Sequence, residues 1–254
     1  DRAFDETTLE PPLGSGPYKV IDVEPGRSVT YGRVEDYWGA DVPVNVGFYN
    51  FGTIRYDEYL DFDIALEAFK AHEYDFRMEN NSKLWATSYT GRNFEDGLII
   101  TEEIMHERPT GMQAFIFNLR RPLFEDPRVR EALGYAFDFD WSNKNLFYGQ
   151  YDRTTSYFSN SDLAATGTPD EAELALLEPF RDQLPEEVFG EVYMPPATDG
   201  SGNIRGNLRA AIALLEEAGW TIQDGALAGP NGEAMAFEIL LVQPAFERIV
   251  QPFA

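Results

Sequence analysis

Hydrophobic positions along this 254-residue chain recur with a period of two through much of the first half and of three to four through much of the second. Residues 14–39, GSGPYKVIDVEPGRSVTYGRVEDYWG, predict a turn, a strand, a second turn at Pro25-Gly26 and another strand. VNVGFYNF (44–51) alternates and predicts a further strand. Asp57 to Ala71 predicts a helix, because Leu60, Ile64, Ala68 and the neighbouring Phe69 return at helical spacing. A short strand is expected over YDFRME (74–79) and a short helix from near Ser82 in NSKLWATSY (81–89). LIITEEIM (98–105) and MQAFIFNL (112–119) predict two more strands around a turn at Pro109-Thr110-Gly111.

Asp126 followed by Pro127 marks a helix start: an oxygen cap, then proline where a missing N–H costs nothing. Val129, Leu133, Ala136 and Phe137 would share its apolar face. Glu171 to Gln183 predicts a helix that Pro179 interrupts or ends. Arg205 to Ala218 predicts another, with Leu208, Ile212, Leu215 and Ala218 on one stripe and Gly219 as its C-terminal cap. Residues 184–204 read as a long loop, DGALAGPNGE (224–233) as a hairpin connection and FEILLV (237–242) as a buried strand. The order is that of a mixed α/β chain without internal repeats.

Composition narrows the classes of function. The chain is 43 % hydrophobic, and no stretch approaches the roughly 18 to 20 apolar residues of a membrane span. Its 44 acidic and 20 basic residues give a net charge of −24, which opposes binding to nucleic acid or anionic membranes. The acidity fits a salt-adapted or high-GC source, or attraction of a cationic ligand. With no cysteine, disulfides and thiolate sites are excluded.

No catalytic constellation emerges. His72 and His106 stand in no metal-binding spacing, and there is no G-x-S-x-G. The GSG at 14–16 leads into a strand, and GSGNIRGN (200–207) lacks the lysine of a phosphate-binding loop. Carboxylate pairs such as Asp138 with Asp140, or Glu102 with Glu103, leave a glycoside hydrolase open, because that chemistry depends on a separation in space. Aromatics are abundant at 14 %. Tyr37-Trp38, Trp85 with Tyr89, Trp141 and YFSNS (157–161) lie near polar, turn-like positions, where they serve either the core or a ligand.

The ordered segments GSGPYKV (14–20), DYWG (36–39), YDFRMENNSKLW (74–85), AFIFNLRRPLFEDPRVREALGYAFD (114–138) and LRAAIALLEEAGW (208–220) resemble the family 5 extracellular solute-binding proteins, receptors that serve ATP-driven importers. LFYGQYDRTTSYFSNSDLAATG (146–167) and FERIVQPF (246–253) are similar to the branch that takes up microcin C and oligopeptides.

The resemblance implies an α/β, two-lobed fold of the periplasmic binding protein type II kind, here as an incomplete fragment. Residues 1–117 would form part of a first lobe and 118–254 the first part of a second. It further implies a periplasmic receptor, not an enzyme, that captures short peptides or peptide-like solutes. Its partners would be the permease subunits of an ABC importer, with no nucleic acid, membrane insertion, metal or cofactor. Phe117 and Asn118 would lie near the lobe crossover, with Arg120-Arg121-Pro122 as a hinge corner rather than a catalyst. Trp38, Trp85, Tyr89, Asn118, Tyr157 and Phe158 are the candidate ligand contacts. The rival reading is a carbohydrate-active enzyme or glycan-binding protein built on aromatic platforms and acidic residues.

Overall fold

The computed structural model describes residues 10–254. The chain divides into two compact units: the described part of Asp1–Met78 with Arg92–Ile99, and Glu79–Gly91 with Ile100–Ala254. Residues 100–117 belong to the second of these units.

The first unit is built on an antiparallel sheet of β1 (Tyr18–Glu24), β2 (Ser28–Arg33) and β3 (Thr53–Asp57), in that order. Pro25-Gly26 makes the β1–β2 turn, with Gly26 at φ 71° and the Arg27 N–H donating to the Glu24 carbonyl at 2.9 Å. The register shifts between Val20 and Asp22, so Ile21 bulges from the ladder.

The third strand corrects the sequence reading. It is TIRYD, not VNVGFYNF. Over 42–48 the N–H groups of Val42, Asn45 and Phe48 each bond three residues back, a run of turns that leaves the backbone unable to join a ladder.

Helix α1 spans Phe62–Lys70, starting later than expected because Asp61 caps it, accepting from the N–H groups of Asp63 and Ile64. Leu60 lies outside it and exposed, and the buried residues are Ala65 and Leu66 rather than Ile64. Tyr74 docks on this helix, its hydroxyl donating to the Ala65 carbonyl at 2.7 Å and its ring 5.3 Å from Phe69. YDFRME forms no strand, and beyond Tyr74 its Phe76 and Met78 are exposed.

In the second unit the helix from Ser82 is present as α2 (Ser82–Ser88), capped by Asn81. In the first, the short α3 (Arg92–Glu95) places Asn93 to donate to the Lys70 carbonyl at the end of α1, at 2.8 Å.

The core of the second unit lies between α4 (Pro127–Ala136) and α7 (Arg205–Glu217). Asp126 caps α4 with Pro127 at its first position, as the sequence predicts. Val129 and Ala132 of α4 meet Ala211 and Leu215 of α7 and the buried Trp220. Leu208, expected on the apolar stripe, is exposed.

Gly219, at φ 88°, ends α7. Its N–H bonds to the Glu216 carbonyl and the Trp220 N–H to that of Leu215, which brings Trp220 onto Leu215 in the core. Between these helices come α5 (Phe139–Asn145) and α6 (Glu171–Leu177). Asp170 and Glu173 cap α6 reciprocally, and from Glu178, with Pro179 in its first turn, the chain tightens into a 3₁₀ helix. A small hairpin of β4 (Thr221–Gln223) and β5 (Ala226–Ala228) comes after α7, and α8 (Glu247–Val250) lies near the end.

Three expected strands, 98–105, 112–119 and 237–242, form no ladder among the described residues. The alternation is nonetheless expressed as burial. Phe115 and Phe117 are half-buried while Ile116 is 87 % exposed; Phe237, Ile239 and Leu241 are half-buried while Leu240 and Val242 are 89 % and 82 % exposed. FEILLV is thus one-sided, not fully buried.

The Arg-Arg-Pro corner is a folded turn. The Arg121 N–H donates to the Asn118 carbonyl, the Asn118 side-chain oxygen accepts from the Arg120 N–H at 3.2 Å, and Pro122–Phe124 continue as a 3₁₀ turn. Arg130 fastens the corner to α4 by donating to the Phe124 and Glu125 carbonyls at 2.6 and 2.9 Å.

Candidate ligand-binding site

Helix α2 presents the densest grouping of the candidate residues. Trp85 and Tyr89 stand four residues apart, one turn of helix, so they fall on one face with ring centroids 5.2 Å apart and planes tilted by 54°. Two carboxylates fix their polar ends. Glu79 accepts the Tyr89 hydroxyl at 2.8 Å and the Asn81 N–H at 2.9 Å, and Glu103 accepts the Trp85 indole N–H at 3.3 Å. Ser82 and Leu84 are buried. The result is an oriented, half-buried aromatic pair rimmed by acceptors, suited to a flat apolar group with a polar or cationic end.

Tyr157 and Phe158 lie exposed on the tip of the second grouping, a loop closed by its own serines. Ser156 accepts the Phe158 N–H, Ser159 donates to the Ser156 carbonyl and Ser161 to that of Phe158. Asn160, at φ 59°, docks the loop by donating to the His106 and Arg108 carbonyls at 3.0 and 2.8 Å, and the Thr110 N–H donates to the Ser159 carbonyl at 3.0 Å. Short polar side chains that satisfy the loop's own backbone leave its aromatic tip displayed rather than buried.

The other candidates, Trp38 and Asn118, have hydrogen-bond partners of their own. Trp38 belongs to the first unit and is 74 % exposed, its indole donating to the Ser15 carbonyl at 2.9 Å and its ring against Tyr37 at 5.6 Å. Asn118 is exposed, and its hydrogen bonds serve the corner. His72, at φ 61°, comes after α1, while the His106 ring accepts the Arg108 N–H. Among the described residues no group of three or more histidine or carboxylate side chains could hold a metal ion.

The residue that sequence reasoning missed is Arg153. Its guanidinium lies 5.5 Å from the centroid of Phe137 and 5.2 Å from that of Phe139. Burial holds its pKa below the ordinary arginine value, opposed by Tyr193 and Asp140. Asp138 and Asp140, whose spacing left a catalytic pair open, are instead tied to Thr198: its hydroxyl donates to Asp138 at 2.6 Å and its N–H to Asp140 at 2.6 Å. No periodicity marks Arg153; only the folded position of the two phenylalanines does.

The model of the bacterial extracellular solute-binding proteins, family 5, matches residues 1–251. The chain belongs to this family. Among curated relatives, YejA of Escherichia coli K12, an uncharacterized protein, is 47 % identical over the whole of this chain and 42 % of its own length. A probable peptide-binding protein YejA of Agrobacterium fabrum is 43 % identical over 99 % of this chain and 42 % of its own. The chain thus spans about two-fifths of the length of these relatives. Among solved structures, NikA of Brucella suis in complex with Fe(III)-EDTA superposes with a TM-score of 0.60 at 21 % identity, over 94 % of this chain and 40 % of that one. The likeness establishes the fold as that of the family 5 two-lobed binding proteins. No helix among the described residues is long and apolar enough to cross a membrane.

Proposed function

We propose that the protein is a periplasmic receptor that captures short peptides or peptide-like solutes and hands them to the permease subunits of an ABC importer, without covalent chemistry. The observation that carries this reading is the Trp85–Tyr89 pair, oriented by Glu79 and Glu103 within a family 5 fold. A receptor for varied peptides gains from aromatic surfaces that accept many side chains, with a few fixed acceptors for backbone or cationic groups. The description of the Agrobacterium relative as a probable peptide-binding protein supports the same reading.

Trp38, Asn118, Tyr157 and Phe158 are proposed as further ligand contacts. The division of the lobes after Phe117, with Arg120-Arg121-Pro122 as the hinge corner, is part of the same proposal. A hinge there would confine the dihedral change of closure to a few residues, and closure would favour the liganded member of a pre-existing equilibrium.

Native mass spectrometry of the full-length receptor purified from its own host tests the reading. Adducts that release peptides on gentle activation are expected. A clean apo mass that stays unchanged after addition of a short-peptide library would overturn the peptide assignment.

A further inference from the structure

We infer that Arg153 is an anchor for a carboxylate of the bound solute, supplied by a peptide's C-terminus or by an acidic side chain. The inference rests on the peptide reading above and adds to it the ligand group that this arginine recognises.

The first observation is an unmet valence. Arg153 is half-buried, yet among the described residues its guanidinium makes no hydrogen bond and no ion pair. Four other arginines of the second unit find acceptors: Arg128 chelates Asp126, Arg181 pairs with Glu178, and Arg130 and Arg248 donate to carbonyls; Arg108, Arg205 and Arg209 are exposed to water, as Arg153 is not. A guanidinium taken part-way out of water without an acceptor is costly, whereas one completed by a carboxylate in bidentate geometry forms one of the stronger polar contacts available to a protein.

The second observation is that the group is held ready. The planar cation lies over two rings, Phe137 and Phe139, which attract it without supplying hydrogen-bond acceptors of their own. Phe137 is itself braced edge-on by Phe115 at 5.4 Å and Phe253 at 5.9 Å. Two residues before the arginine, Asn143 grips Tyr151 from both sides, donating to its carbonyl at 2.6 Å and accepting its N–H at 3.2 Å. The acid that acts on Arg153 electrostatically, Asp140, already accepts the Thr198 N–H. Burial's hold on the Arg153 pKa agrees with a cation awaiting an anion. Tyr157 and Phe158, proposed ligand contacts, come four and five residues later on the same strip of chain.

The test uses the full-length receptor and two synthetic pentapeptide libraries, one of free acids and one of C-terminal amides, with bound peptides identified by mass spectrometry. Wild-type protein should enrich acids over amides, or glutamate- over glutamine-containing members of the amide library, by about tenfold or more. The first preference identifies a C-terminal carboxylate and the second a side chain. Arg153→Gln should bring that ratio close to one, and Arg153→Lys should keep part of it. Labelling of wild-type Arg153 by phenylglyoxal should be blocked by peptides that carry the preferred carboxylate but not by uncharged amide peptides, a readout that does not depend on the variants folding.

A wild-type ratio of one, a ratio untouched by Arg153→Gln, or labelling indifferent to peptides that carry the preferred carboxylate would each overturn the assignment. Loss of thermal stability in Arg153→Gln with the acid preference intact would mean that the arginine answers a carboxylate of the receptor itself, and would equally overturn it. Failure of wild-type protein to retain any member of either library would overturn the peptide reading itself, and this inference with it.

Discussion

The guanidinium of Arg128 closes on the carboxylate of Asp126, with Nη2 2.6 Å from Oδ2 and Nε 3.0 Å from Oδ1. Asp126 at the same time caps α4 by accepting the Arg128 N–H at 2.9 Å, and Arg128 Nη1 reaches the Glu217 carbonyl at the end of α7 at 2.7 Å. One short-range pair therefore starts one helix and ties it to another.

That pair predicts a pH dependence. Hydrogen bonds from the Arg128 side chain and backbone hold the Asp126 carboxyl below its ordinary value of 3.8. A carboxyl depressed in the folded state stabilises above the unfolded value, and that contribution is lost as pH falls through the folded one. The gap in urea midpoint between wild type and Asp126→Asn should thus hold at neutral pH and narrow as pH drops below about 3.8. A gap that stayed constant into strong acid would show that the charge is not what stabilises.

Two glycines should respond oppositely to alanine. At Gly219 the φ of 88° is strained for any side chain, and a Cβ would sit 2.9 Å from Pro230 Cγ. Gly219→Ala should therefore destabilise by roughly 1 kcal/mol or more. Gly134 lies inside α4 with nothing within 4 Å of its Cβ position. Gly134→Ala should stabilise by about 0.5–1 kcal/mol. Thermal unfolding of the two variants side by side decides both.

Leu215 is 4 % exposed at the centre of the α4–α7 core. Leu215→Ala should cost about 2–5 kcal/mol, the larger part if Trp220 cannot settle into the space. Chemical denaturation measures the loss, and near-ultraviolet circular dichroism reports whether the indole has moved.

Residues 112–118 and 237–241 join no sheet among the described residues, and Ile116, Leu240 and the neighbouring Val242 are exposed. The 254-residue chain in isolation should therefore self-associate and bind apolar dyes. Ile116→Lys with Leu240→Lys should reduce both effects, as light scattering and dye fluorescence would register. A monodisperse, dye-silent wild-type chain would contradict this.

For the candidate site, Trp85→Ala in the full-length receptor should weaken peptide binding by about tenfold, the scale of one lost aromatic contact. Calorimetric titration with a peptide recovered from the purified receptor checks it.

Several elements were legible in the residues alone because the chemistry that specifies them is local. Pro25-Gly26, Asp126-Pro127, Pro179 and Gly219 each act within a few residues of themselves, and each turn or helix end stands where the sequence placed it. Where the reading failed, the deciding partner was distant or the pattern ambiguous. VNVGFYNF alternates as well as TIRYD, but only TIRYD lies opposite β2. Asp57 begins a helical spacing, but Asp61 holds the cap.

The candidate site divides the same way. Trp85 and Tyr89 could be placed together because four residues are one helical turn, whereas Glu103 enters only through the fold. Arg153 carried no sequence signal, since its character comes from two phenylalanines more than ten residues upstream and from what does not reach it.

By itself, then, the sequence determined the family, the mixed α/β class, the acidic charge and several helix ends, because those depend on composition and on contacts between near neighbours. Tertiary structure decided which alternating segment joined the sheet, which helix faces became core and which charges were satisfied. Those outcomes depend on pairing between residues far apart in the chain. Such pairing is set by packing and hydrogen-bond partners that no local pattern specifies.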